Sequence, residues 1–152
     1  MRKIKSVMFI CHGNICRSPM AELIFRHQLE ERGIRGVTVA SSAVSREELG
    51  NPVYPPAVRE LAKHGISAKG KYAVRLCADD YDRYDLLLCM DSSNVSRALR
   101  IVGEDGEGKV MRLLDLTERP RDVADPWYTG DFAATYLDIT EGLCELIKLC
   151  EE

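Results

Sequence analysis

The sequence has no long apolar run. Its 152 residues open on the basic stretch Met1-Arg2-Lys3-Ile4-Lys5, and the apolar continuation Val7-Met8-Phe9-Ile10 is four residues long. That is far short of the roughly 20 residues that cross a bilayer or the about 7–15 of a signal-peptide core. Neither a leader nor a membrane partner is expected, and the chain reads as cytoplasmic. A basic run is also missing. With 21 Lys+Arg against 24 Asp+Glu the formal charge is -3, so the dense positive footprint of a nucleic-acid binder is absent and no nucleic-acid partner is expected. Histidine is scarce, at three, and the six cysteines at 11, 16, 77, 89, 144 and 150 show no paired-ligand spacing of zinc-site type. No metal and no cofactor are expected. A chain of this size builds its own core, so the cysteines read as mostly reduced thiols rather than a disulfide framework.

What is present is an ordinary globular balance, 45% hydrophobic and 30% charged, without repeats, low-complexity tracts or linkers; one domain over residues 1–152 is expected. Ile4 to Ile10 is nearly all apolar and ends at a glycine-containing turn, the pattern of a buried parallel strand. Ser18-Pro19 then offers a capping hydroxyl and a proline at the first helical position. Met20, Leu23 and Ile24 fall on one helical face, and Gly33 is the stop. Val37–Ala40 reads as a second strand, Ser41–Gly50 as loop, and Ala57, Val58, Leu61 and Ala62 as one face of a short helix. Asp85–Met90 is a third strand, followed by a helix that Asp91-Ser92-Ser93-Asn94 can cap and that buries Val95, Ala98, Leu99 and Val102. Lys109–Leu114 is a fourth strand, Asp115–Gly130 an irregular excursion, and the stripe Phe132, Tyr136, Ile139, Leu143, Leu146 and Ile147 a long final helix. Strands alternating with helices predict an α/β domain, a parallel sheet covered on both faces, with its ligand crevice beyond the carboxyl ends of the strands.

The turn after strand one reads Cys11-His12-Gly13-Asn14-Ile15-Cys16-Arg17-Ser18. It places a thiol at a strand end and a guanidinium at a helix start around one small cavity. Gly13 permits close backbone approach, and successive N–H groups in such a turn form an anion nest beside the positive end of the helix. A thiolate is the attacking species, and the guanidinium, the helix terminus and the Ser18 hydroxyl all favour it. Arg17 adds planar, bidentate donors for two phosphoryl oxygens, a fork that lysine cannot reproduce. The spacing therefore points to phosphate or related oxyanion chemistry. An ester oxygen departs poorly unless protonated, and Asp125, in Asp125-Pro126-Trp127-Tyr128, is the candidate acid; Asp122 is its competitor.

The segment Cys11 to Glu22, CHGNICRSPMAE, resembles the low-molecular-weight protein tyrosine phosphatase family. The likeness continues through His64-Gly65-Ile66, Cys89 to Asn94, Asp125 to Tyr128, and Gly130, Phe132, Tyr136 and Ile139. It implies a single three-layer domain with a four-stranded parallel sheet of order 2-1-3-4, a phosphocysteine intermediate and no metal. Residue by residue, Cys11 matches the nucleophile, Arg17 the phosphate clamp, Ser18 the thiolate-stabilising hydroxyl and Asp125 the general acid and base. Asn14 matches a loop-shaping asparagine, and His64 looks like its supporting partner. His12 falls on the rim and His27 on the surface, both without a catalytic role. Cys16 matches a cysteine that traps the nucleophile as a reversible disulfide.

The implied substrate is a phosphotyrosine protein or peptide, with small aryl phosphates also accepted and inorganic phosphate released by a monomer; a weak dimer through exposed aromatics stays open. Arginine-phosphate-specific members resemble a version with threonine at the Ile15 position, whereas Ile15 offers an apolar wall to an aromatic ring. Many tyrosine-specific members have an aromatic residue before the glycine matching Gly50; here the stretch is Ser45-Arg46-Glu47-Glu48-Leu49. Glu47 and Glu48 make that rim polar, and Tyr54, Trp127 and Tyr128 are the candidate aromatic walls. Phosphoarginine hydrolysis is the alternative. Arsenate reduction through a Cys77 and Cys89 relay, and a noncatalytic phosphate-binding module, are further ones.

Overall fold

The computed structural model describes residues 3–151; Met1 and Arg2 of the basic start lie outside them, as does Glu152. Four strands, β1 (Ser6–Cys11), β2 (Thr38–Ala43), β3 (Leu86–Cys89) and β4 (Val110–Arg112), form one wholly parallel sheet in the order β2-β1-β3-β4. The expected class and strand order are both observed. β1 is central because its side chains are apolar on both faces. Val7, Phe9 and Cys11 enter one core and Met8 and Ile10 the other, the pattern of a strand covered twice. Helices α1 (Arg17–Glu31), α2 (Pro55–Ala62) and α6 (Phe132–Cys150) bury their apolar residues in the first core. α4 (Ser92–Val102) and the short α3 (Asp80–Arg83) serve the second. The one-turn helix α5 (Pro126–Thr129) follows Asp125. Chain order leaves β1 toward β2 on one side and returns to β3 on the other, so the crevice opens at the carboxyl end of β1, where Cys11 stands.

Several boundaries differ from the sequence expectation, each for a local reason. α1 starts at Arg17, its N-cap is Cys16, and no side chain caps it. The expected cap by Ser18 does not form, because that hydroxyl is turned onto the Cys11 sulfur. β2 continues through Ser41 and Ser42, where the polar sequence predicts loop. Both are buried, and both hydroxyls have acceptors, Glu22 for Ser41 and the Met8 sulfur for Ser42. Leu113–Leu116 is a 3-10 turn rather than the end of β4. In α2, Ala62 is exposed while Ala57 and Leu61 are fully buried, and in α4 only Ala98 of the four expected apolar residues is fully buried. Gly33, with φ of 67°, ends α1 as expected.

Candidate active site

The loop from Cys11 to Ser18 is held by its acceptors and leaves its donors free. The carbonyls of Cys11, His12 and Ile15 take the amides of Val44, Ser45 and Tyr54, at 3.1, 3.0 and 2.9 Å. The amides of residues 12–16 donate to no acceptor among the described residues. That asymmetry makes a concave face of N–H groups. Asn14 sits at φ 59°, the left-handed region that costs an L-residue energy and that no other described non-glycine residue adopts. Three hydrogen bonds hold it there. Its Nδ2 donates to the Ser18 hydroxyl at 2.7 Å and to the Ser41 hydroxyl at 2.9 Å, and its Oδ1 accepts from the Val74 amide at 3.1 Å.

These bonds fix where protons point. Ser18 Oγ already accepts from Asn14, so its own hydrogen is free for Cys11 Sγ, 2.9 Å away, and the Ser18 amide reaches the same sulfur at 3.4 Å. Ser41 donates onward to Glu22 Oε1 at 2.6 Å, and Glu22 also meets Arg26 at 2.8 Å and Lys71 at 3.3 Å. A buried polar chain thus runs from Glu22 to the thiol. Every member has a partner, which is the condition under which such a network rigidifies a site.

Arg17, only 2% exposed, is aimed by what surrounds it. One terminal nitrogen donates to Asp91 at 2.9 Å and to the Val123 carbonyl at 2.7 Å, while the other reaches Asp125 at the longer distance of 3.3 Å. Asp125 Oδ1 accepts from the Trp127 amide, so the carboxylate also caps α5 and is fixed in direction. Asp122 is elsewhere. It accepts from Ser92 and Arg112, and although burial acts to raise its carboxyl pKa, the bonds from Arg112 and Ser92 hold it below the ordinary value. An anchored, ionised carboxylate outside the pocket cannot serve as its acid.

The pocket between these groups has a volume of about 150 Å³. Cys11, Gly13, Cys16 and Arg17 line it, Ile15 and the exposed Trp127 and Tyr128 supply apolar wall, and Asp125, Glu47 and Glu48 bring carboxylates to it. His12 belongs to the rim as expected, joined to Glu47 at 2.9 Å and to Arg97 at 2.9 Å. His27 faces Glu31 on the surface. Burial, reinforced by the negative charge of Cys11 and Asp125, pushes the Cys16 thiol up to about 12, so it is protonated at neutral pH. The described residues contain no group of histidines, cysteines and carboxylates placed to hold a metal ion.

The family model of the low molecular weight phosphotyrosine protein phosphatases matches residues 6–152. The chain belongs to that family. It is 38% identical over 151 residues to the low molecular weight protein-tyrosine-phosphatase YfkJ of Bacillus subtilis, covering 97% of this chain and 92% of that protein. It is 35% identical over 140 residues to PtpA of Staphylococcus epidermidis, with 91% and 88% covered. The crystal structure of Bacillus subtilis YfkJ superposes with a TM-score of 0.91 at 34% identity, covering 95% of this chain and 93% of that one.

Within this low molecular weight phosphatase chain, two expected positions are corrected. His64 does not support Asn14. It stacks on Tyr136, with ring centroids 3.7 Å apart, and pairs with Glu60 at the end of α2; the Ser41 hydroxyl and the Val74 amide take the supporting place. Tyr54 does not line the pocket. It packs behind Trp127, with centroids 4.8 Å apart, and against Phe132, so it props the wall. The cysteines of the imagined relay also lie apart from the pocket: Cys89 is fully buried in β3, with its thiol pushed up by burial, and Cys77 lines a different cleft. Ser41, Glu22, Val123 and the Arg17-binding role of Asp91 escaped sequence reading. The available signal was a polar pair, Ser41-Ser42, continuing a strand, and one acid, Glu22, on the buried side of α1.

Proposed function

We propose that the chain hydrolyses protein phosphotyrosine through a phosphocysteine intermediate and releases inorganic phosphate. The observation that carries this reading is Cys11 Sγ, 2.9 Å from the Ser18 hydroxyl, in a pocket that also holds Arg17 and Asp125. The relatives' printed names as protein tyrosine phosphatases support it. The dianion sits on the amides of the Cys11–Ser18 loop, with Arg17 spanning two equatorial oxygens. Cys11 attacks phosphorus in line, the phosphorus–phenol bond breaks, and Asp125 gives its proton to the departing oxygen. A water then attacks phosphorus, Asp125 takes a proton from it, and Cys11 leaves as thiolate with the Ser18 hydroxyl donating to it. Arg17 and the amides hold equatorial charge in both steps.

Ile15 supports an aryl substrate, because a guanidino group would leave its polar hydrogens against that wall. We place the reaction in a cytoplasmic monomer acting on phosphotyrosine proteins. The protonated Cys16 thiol is its redox partner: peroxide converts Cys11 thiolate to sulfenic acid, and Cys16 condenses with it to a disulfide, releasing water. Faster irreversible loss of activity in Cys16→Ser under peroxide is expected; recovery by reductant as complete as in the parent overturns that role. The main reading is tested by initial rates on matched phosphotyrosine and phosphoarginine peptides, each against Cys11→Ser. Turnover of phosphotyrosine that disappears in Cys11→Ser is expected. Preference for phosphoarginine overturns the substrate assignment and leaves the nucleophile standing.

A further inference from the structure

A second cleft, of about 520 Å³, runs along the outer edge of β2 and shares no lining residue with the active-site pocket. Four cations, Arg26, Lys71, Arg75 and Arg83, line it with two acids, Glu22 and Asp80. Three of the cations are engaged. Arg26 meets Glu22 at 2.8 Å and the Val39 carbonyl at 2.7 Å, Lys71 meets Glu22 at 3.3 Å and the Ser41 carbonyl at 3.2 Å, and Arg83 meets Asp80 at 3.6 Å. Arg75 has no hydrogen-bonding or ionic partner among the described residues, and its Nε is the one buried side-chain nitrogen or oxygen there without an acceptor.

We propose that this cleft binds a tetrahedral oxyanion of the phosphate class, with Arg75 as its principal ligand. A donor shut away from water with no acceptor costs free energy, which a turn of the partly buried Arg75 side chain onto an anion in the cleft recovers. The Nε and terminal N–H groups of one guanidinium form a fork matched to two oxygens of such an anion. Its position is set by the sheet rather than by a loose loop. On either side of Arg75, the Val74 carbonyl accepts from the Ala43 amide at 2.8 Å and the Leu76 amide donates to the Ala43 carbonyl at 2.9 Å. Charge favours the anion too, with four cations against two carboxylates, and the longer pairs of Lys71 and Arg83 yield a donor most readily. An anion drawing Lys71 away from Glu22 acts on the chain Glu22–Ser41–Asn14–Ser18 that ends at Cys11.

The test is a chemical-shift titration of the whole 15N-labelled chain with inorganic phosphate and, separately, with O-phosphoserine. Amides of residues 12–17 report the catalytic loop. The Arg75 Nε–H and the amides of residues 39, 40 and 75–77 report the cleft. Two saturable sets with separate midpoints are expected. In Arg75→Met the cleft midpoint rises by about tenfold or more, as loss of a charge-assisted bond requires, while the loop set still saturates. Equal affinities for the two probes assign the cleft to free phosphate, and tighter O-phosphoserine binding assigns it to a phosphorylated organic ligand. Shifts confined to the loop in the unmodified chain overturn the proposal without touching the hydrolytic reading, as do cleft shifts that persist unaltered in Arg75→Met.

Discussion

Asp125 has one oxygen on a backbone amide and the other 3.3 Å from Arg17, a position from which it can lose a proton to a departing phenol. Asp125→Ala is therefore expected to slow phosphotyrosine hydrolysis by about 10²–10⁴ and to slow an aryl phosphate with a very good leaving group much less; equal losses on both remove the acid role. Asn14 offers a second dissection. Glycine there relieves the left-handed backbone and loses the three hydrogen bonds, whereas alanine loses the bonds and keeps a strain of about 1–2 kcal/mol. Asn14→Gly should be the more stable of the two variants in a denaturant titration. Both should fall well below the parent in kcat, because nothing then directs the Ser18 hydrogen onto Cys11. A kcat unchanged in Asn14→Gly would show that the direction of that proton is immaterial. The meeting of Cys11, Arg17 and Asp125, our proposed nucleophile, clamp and acid, in one pocket was legible in the sequence because their chemistry is written in residue type and spacing. The support of Asn14 was not, since it depends on which strand and which extended segment approach the loop, and position 64 is carried away from it by α2.

At the scale of elements, Asp91 serves two masters. One oxygen accepts from the Asn94 amide and caps α4; the other holds Arg17. Asparagine keeps a good cap but presents no charge to the guanidinium. Asp91→Asn should shift thermal stability little and raise KM for phosphotyrosine peptides, while Asp91→Ala should lose about 1 kcal/mol of stability as well. Comparable melting losses in both variants would deny the division of labour. α6 supplies another case. A Cβ at Gly142 would stand 2.5 Å from the Leu113 Cγ, so helix and 3-10 turn approach as closely as they do only because the residue is glycine. Gly142→Ala should cost about 1–3 kcal/mol by overpacking, read as a lower denaturant midpoint; an unchanged midpoint would mean that Leu113 repacks freely. The long helices were readable from periodicity and the buried strands from short, continuous apolar runs. α3 and the 3-10 turn were not, because four residues are too few to display a period.

At the scale of the whole molecule, three lowered carboxyls contribute to its response to acid. Burial acts to raise Asp105, but the Tyr81 hydroxyl and the amides of Lys109, Val110 and Gly108 outweigh it and hold the carboxyl below its ordinary 3.8. Asp122 and Glu141 are likewise lowered, by bonds from Arg112 and Ser92 against the effect of burial in the first and chiefly by Arg121 in the second. A carboxyl lowered on folding contributes stability that is complete above its unfolded value and disappears as pH falls through the folded one. Stability from these groups should be level down to about pH 5 and decline below it. Asp105→Asn should be less stable than the parent at pH 7, the gap narrowing below 3.8; a gap independent of pH would assign the loss to packing. The strand order of the sheet has one more consequence. Its central pair is protected by neighbours, but β2 is an edge, closed at Ala43 by the segment around Arg75 and presenting the Val39 and Ser41 carbonyls to any chain that would add a strand. Arg26 already occupies the Val39 carbonyl and Lys71 that of Ser41, while the opposite edge, β4, is three residues long. Two cationic side chains and a short strand thus guard the fold against sheet-to-sheet aggregation.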